Sequence, residues 1–123
     1  MGIDIYAEWK GMSKAEKDAQ FTGFSVEHGH TGYLHEAYHG EPYATHVLVA
    51  EAFESGRAEI PASVLRDRLS ETLEAAERRE REIYAETDES AIDRVLKSYR
   101  DFVELCAQKE DETGVPCLII ASY

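Results

Sequence analysis

Apolar residues alternate with polar ones at the start of the chain. Ile3, Ile5, Ala7 and Trp9 are separated by Asp4, Tyr6 and Glu8, a period of two that predicts a strand with one buried face. Gly11 ends it. Ser13-Lys14-Ala15-Glu16 reads as a capping box, in which the serine caps a helix start and the glutamate reaches back, so a short helix to about residue 20 follows. Phe21 to Val26 alternates again and predicts a second strand, with Gly23 marking a bulge or close approach. Over Tyr43–Ala50 the β-formers Thr45, Val47, Leu48 and Val49 favour a strand. A helix from Ala44 to Glu54 competes, because Ala44, Val47, Leu48 and Phe53 would also share a face. Ser55-Gly56-Arg57 is a turn.

The period then lengthens to that of a helix. Pro61 marks a helix start, and Leu65, Leu69, Leu73, Ala76, Ile83 and Tyr84 follow helical spacing. Thr87-Asp88-Glu89-Ser90 supplies a new N-cap, and Ile92, Val95, Leu96, Tyr99, Phe102, Val103 and Cys106 form a wide apolar stripe that Gly114 and Pro116 end. A hairpin of two long helices accounts for this pattern more compactly than one stalk. The continuous run Leu118-Ile119-Ile120-Ala121 predicts a last strand buried on both faces. The expected architecture is a single α+β domain over 1–123: a small sheet of three to four strands, from the N-terminal, middle and C-terminal segments, packed against the helix hairpin.

Composition narrows the partners. The 123 residues suit one domain, and a formal net charge of −12 opposes binding to nucleic-acid phosphates and to anionic membranes. It permits binding to a basic protein surface, and it also simply keeps an acidic protein dispersed. No apolar run approaches membrane-spanning length and no signal pattern opens the chain, so a cytoplasmic location is expected. Cys106 and Cys117 read as buried reduced thiols. Glu74 to Glu82, rich in glutamate and arginine, reads as a solvated helix face.

The unusual composition is confined to one stretch. All five histidines lie between His28 and His46, together with three tyrosines, three glycines and a proline, and residues 18–56 contain no lysine or arginine. Imidazole binds metals and moves protons near neutral pH, so a site is expected here. Two readings divide the stretch. In the first, residues 28–46 form a loop on an ordinary scaffold. Its Gly-x-Pro turn presents Tyr38, His39, Glu41, Tyr43 and Thr45 to a protein partner or small ligand, without catalysis and without a cofactor. A homodimer stays open on this reading. In the second, His35-Glu36-Ala37-Tyr38-His39 matches H-E-x-x-H. On a helix, His35 and His39 would share a face and bind zinc while Glu36 acts as general base of a hydrolase. Gly40 and Pro42 stop any such helix directly after His39. His28 and His30, two apart, would share a face if extended and could join His35 and His39 as ligands.

The opening Gly-Ile-Asp-Ile-Tyr and the run His-Gly-Glu-Pro-Tyr-Ala-Thr resemble a group of small uncharacterised bacterial or phage-associated proteins over most of the chain. That resemblance implies no activity.

Overall fold

The structure, a computed structural model, describes residues 2–22, 30–38 and 40–123. Its elements are β1 (Gly2–Glu8), α1 (Lys14–Thr22), β2 (Tyr33–Ala37), α2 (Ala44–Leu48), α3 (Ala50–Ser55), β3 (Arg57–Ile60), α4 (Ala62–Arg78), a π-helical turn (Arg79–Ile83), α5 (Glu89–Thr113) and β4 (Cys117–Ser122). The expected α+β architecture is the one observed. Four strands form one antiparallel sheet in the order β2-β1-β4-β3, with α4 and α5 paired as a hairpin against it.

Register follows from burial. Ile3, Ile5 and Ala7 of β1, Leu34 of β2 and Ile119 and Ala121 of β4 are buried on the helix side. They meet Ile92, Phe102, Val103 and Cys106 of α5 and Leu65 of α4 in a single core. A slip of one residue would turn this whole set to solvent. On the opposite face Tyr33, Tyr6, Ile120 and Arg57 stand in one row across the four strands. Leu118 and Ile120 are only half-buried, so β4 is packed closely on one face, not on both as its continuous apolar run suggests.

The helix signals work as read. Ser13 N donates to Glu16 Oε1 at 2.9 Å and Glu16 N to Ser13 Oγ at 3.1 Å, a complete capping box. Asp88 caps α5 by accepting from Ser90 N at 2.9 Å, and Gly114 ends that helix in the left-handed region at φ 76°. Cys106 and Cys117 are free and buried.

Three expectations require correction. Phe21 belongs to α1 and not to a strand; the remainder of that expected strand, 23–26, lies outside the described residues. Of the two readings of residues 43–54 the helical one is observed, as α2 and α3 broken at Val49, with β2 supplying a cap that Tyr43 does not, as described below. The stretch 28–46 is not one loop, since Tyr33–Ala37 is an edge strand paired with β1. A strand at β3, directly after the turn read at Ser55-Gly56-Arg57, was not anticipated. Its four residues alternate outward Arg57 and Glu59 with inward Ala58 and Ile60, a period too short to register in a longer window.

The π-helical turn resets the helix face. Leu65, Leu69, Thr72, Ala76 and Arg79 succeed one another at spacings of four and three along the packed side of α4. An uninterrupted helix would bring Ile83 inward next. The extra residue of the π-turn, closed by Tyr84 N donating to Arg79 O at 3.0 Å, leaves Ile83 exposed and turns Tyr84 inward. Ala85 then takes φ 53°, and Glu86 N donates back to Glu80 O at 2.8 Å. This is the position after a helix end that usually takes glycine. An L-residue there costs about 1–2 kcal/mol, and glycine returns part of that as unfolded-state entropy. Ala85→Gly is therefore expected to stabilise the fold by about 0.5–1 kcal/mol in urea denaturation. A loss of stability would show that the methyl group is required by its surroundings.

Candidate functional site

The strand β2 divides the sequence motif between its two faces. His35 points to the outer face, where its Nδ1 lies 2.9 Å from Asp4 Oδ1 and the Tyr33 hydroxyl donates to the same oxygen at 2.6 Å. Burial opposes the Asp4 charge, but the bonds from Tyr33 and His35 outweigh it and hold this carboxyl below its usual range. Glu36 points the other way, into the protein, and is 7% exposed.

Both oxygens of Glu36 are engaged. Oε2 accepts from Ala44 N at 2.8 Å, and Oε1 accepts from Thr45 N at 3.0 Å and from the Thr45 hydroxyl at 2.6 Å. Two of the unpaired N–H groups at the start of α2 are thus satisfied by a carboxylate from another element, placed at the positive end of the helix. Oε2 also lies 3.0 Å from Arg79 Nε in a buried ion pair, the side chains being 6% and 3% exposed. The guanidinium donates to Gly40 O, to Ala37 O at 2.8 Å and to the Tyr84 hydroxyl at 3.3 Å. The Tyr43 ring covers it, 4.6 Å from the guanidinium carbon. Glu36 and Arg79 therefore tie together β2, residues 40–43 with their cis Glu41–Pro42 bond, α2 and the π-turn.

Above this anchor runs a ridge of rings. Tyr38 meets Tyr43 at 6.3 Å between centroids, Tyr43 meets His46 at 5.2 Å, His46 meets Phe53 at 4.1 Å and Phe53 meets Tyr123 at 5.1 Å. Tyr123 fastens the far end by donating its hydroxyl to Phe53 O at 2.9 Å. Tyr38 is 40% exposed and Tyr123 65%, His46 is exposed, and Tyr43 and Phe53 are half-buried. On the other side of the anchor, a cleft of about 250 Å³ opens between β2, the π-turn and α5, where Glu80, Tyr84, Val95 and Tyr99 join Ala37 and the Glu36–Arg79 pair.

The residues singled out by sequence separate accordingly. Tyr38, Glu41 and Tyr43 belong to the surface around the ridge, with Glu41 exposed. Thr45, expected to face a ligand, is fully buried and serves Glu36. His28 and His39 lie outside the described residues. His30 and His35 occupy separate surroundings. His30 accepts from Gly32 N at 3.0 Å and packs edge-on against Phe102 at 6.0 Å, and burial lowers its basicity. The helix that would bring His35 and His39 to one face is not formed, because residues 33–37 are strand. Glu36, the candidate general base, is committed to capping and ion pairing. Among the described residues no group of three or more His, Cys, Asp or Glu side chains is placed to hold a metal ion.

Phe53, Tyr123, Arg79, Glu80, Tyr84 and Tyr99 were missed. The spacing 65-69-72-76-79 marks Arg79 as inward-facing, a signal obscured by the arginines and glutamates around it. Phe53 and Tyr123 join the ridge through tertiary contacts that no local pattern records.

No protein-family model, curated protein or solved structure matches this chain.

Proposed function

We propose that this protein is a non-enzymatic binding module that holds a basic protein partner on the ridge formed by Tyr38, Tyr43, His46, Phe53 and Tyr123. The observation that carries this reading is the ridge itself, five rings in continuous contact, anchored from beneath by a buried ion pair. Rings held in place before binding give contact area at low entropic cost, which is how aromatic anchors act at protein interfaces. The segment that carries most of the ridge has no lysine or arginine from 18 to 56, and Glu41 and Glu54 are exposed along it. With a net charge of −12, this surface attracts a positively charged partner. Glu36 and Thr45, the buried polar groups beneath it, are spent on one another, on α2 and on Arg79, which supports a scaffold role for them over a chemical one.

The test is site-specific photo-crosslinking in cells that express the protein natively. A benzophenone amino acid placed at Tyr38 or His46 is expected to trap one partner with a basic surface. The same probe at Arg94, exposed on α5, should not. For the trapped protein, Phe53→Ala is expected to weaken binding about tenfold or more, as truncation of an interface aromatic does. Equal trapping from Arg94, or none from the ridge, would overturn the reading.

A further inference from the structure

The cleft beside the π-turn has a chemistry of its own. Its volume of about 250 Å³ falls below that of sites for drug-sized ligands and matches one long side chain or a small organic ion. Tyr84, Tyr99 and Val95 give it aromatic and apolar walls. Its unmatched carboxylate is Glu80; His35 also lines it, with its Nδ1 2.9 Å from Asp4 Oδ1 on the outer face. Arg79 also lines the cleft, but its charge is matched by Glu36 at 3.0 Å, and its donors are occupied by two backbone carbonyls and the Tyr84 hydroxyl. Burial, with Glu86 and Glu36 adding and Arg79 opposing, raises the Glu80 carboxyl above its usual range. A half-buried carboxylate in a cleft with aromatic and apolar walls is an arrangement that recognises an ammonium or guanidinium group, by charge at its head and by apolar contact along its stem.

The cleft and the ridge share the Arg79 anchor. Ala37 lines the cleft and Tyr38 follows directly, and the Arg79 guanidinium lies 4.6 Å from the Tyr43 ring and 5.9 Å from the Tyr84 ring. We propose that this cleft receives a lysine or arginine side chain of the partner docked on the ridge, with Glu80 pairing the cationic head group. The identity of the occupant rests on the ridge reading; the affinity of the cleft for organic cations does not.

The test uses small probes on the full chain. Nitrogen-15 NMR spectra are recorded during titration with n-butylguanidinium, n-butylammonium and, as the anionic control, butyrate. Either cation is expected to give saturable shifts at the amides of Glu80, Tyr84, Val95 and Tyr99, with Kd on the order of millimolar for so few atoms. Butyrate should give none there. Glu80→Gln, at a half-buried surface position, keeps the fold by circular dichroism and weakens the cations about tenfold. Glu80→Lys, which supplies the cleft with its own cation, abolishes the shifts. No saturable shift with either cation, equal shifts with butyrate, or unchanged affinity in Glu80→Gln would overturn the proposal. Because the probes are small molecules, failure here leaves cross-linking from the ridge untouched, and a ridge that traps nothing leaves the cation affinity of the cleft to be read on its own.

Discussion

Replacing Arg79 by alanine is expected to cost about 3–5 kcal/mol of folding stability, the usual result of removing one partner from a buried ion pair. The loss has three parts. The Glu36 carboxylate keeps its burial without its counter-charge, Gly40 O and Ala37 O lose their donors, and the Tyr43 ring loses the cation it covers. A domain of this size has about 5–15 kcal/mol in total, so the loss removes a large fraction of it. A second variant, Glu36→Gln with Arg79→Met, separates the contributions. If the two side chains served only each other, this uncharged exchange would restore most of the stability. Here both also hold backbone groups, so the double variant is expected to remain about 3 kcal/mol below wild type, with several hydrogen bonds still missing. Urea denaturation gives the free energies, and amide hydrogen exchange at Ala44 and Thr45 reports the uncapped start of α2. Arg79→Ala within 1 kcal/mol of wild type would remove the anchor from the account.

Phe102→Ala is expected to be of similar size, about 3–5 kcal/mol, for a different reason. Phe102 is fully buried where α5 faces the sheet, with the His30 ring edge-on to it at 6.0 Å. Truncation leaves a cavity within the single close-packed core, which relaxes only partly around it. Phe102→Leu keeps most of the volume and should cost about 1–2 kcal/mol. Equal losses for the two substitutions would mean that ring geometry matters more than filled volume. Tyr99 lies one turn earlier on the same face, so the alanine variant should also shift the Tyr99 resonances, whereas Phe102→Leu should leave them nearly in place.

The elements legible in the sequence are those whose information is local. The helix hairpin announces itself through period, cap and glycine stop, all within the segment concerned, and β1 through strict alternation. The α2–α3 segment does not. Thr45, Val47 and Val49 argue for a strand, and helix wins because a carboxylate eight or nine residues upstream occupies its first N–H groups. No propensity within 44–55 contains that contact. The candidate site was half legible for the same reason. The unusual run of rings pointed to Tyr38 and Tyr43, but β2 turned Glu36 inward, and only the assembled structure brings His46, Phe53 and Tyr123 into the row. Thr45 shows the converse: a polar residue in a promising segment whose hydroxyl is consumed by the scaffold.

The strand order carries a kinetic consequence. β4 lies between β1 and β3, and Asp4 pairs with Ser122, so the centre of the sheet joins residues at opposite ends of the described chain. The α4–α5 hairpin, closed by a short connection, can form on local contacts within microseconds to milliseconds, while the central pairing must first close a loop of most of the chain. Tyr123 follows β4 directly, and its ring reaches the ridge only when that pairing is made. The complete row of rings therefore depends on the pairing that spans the greatest length of chain: any opening of β4 from β1 would take Tyr123 out of the row and leave a partner an unfinished face.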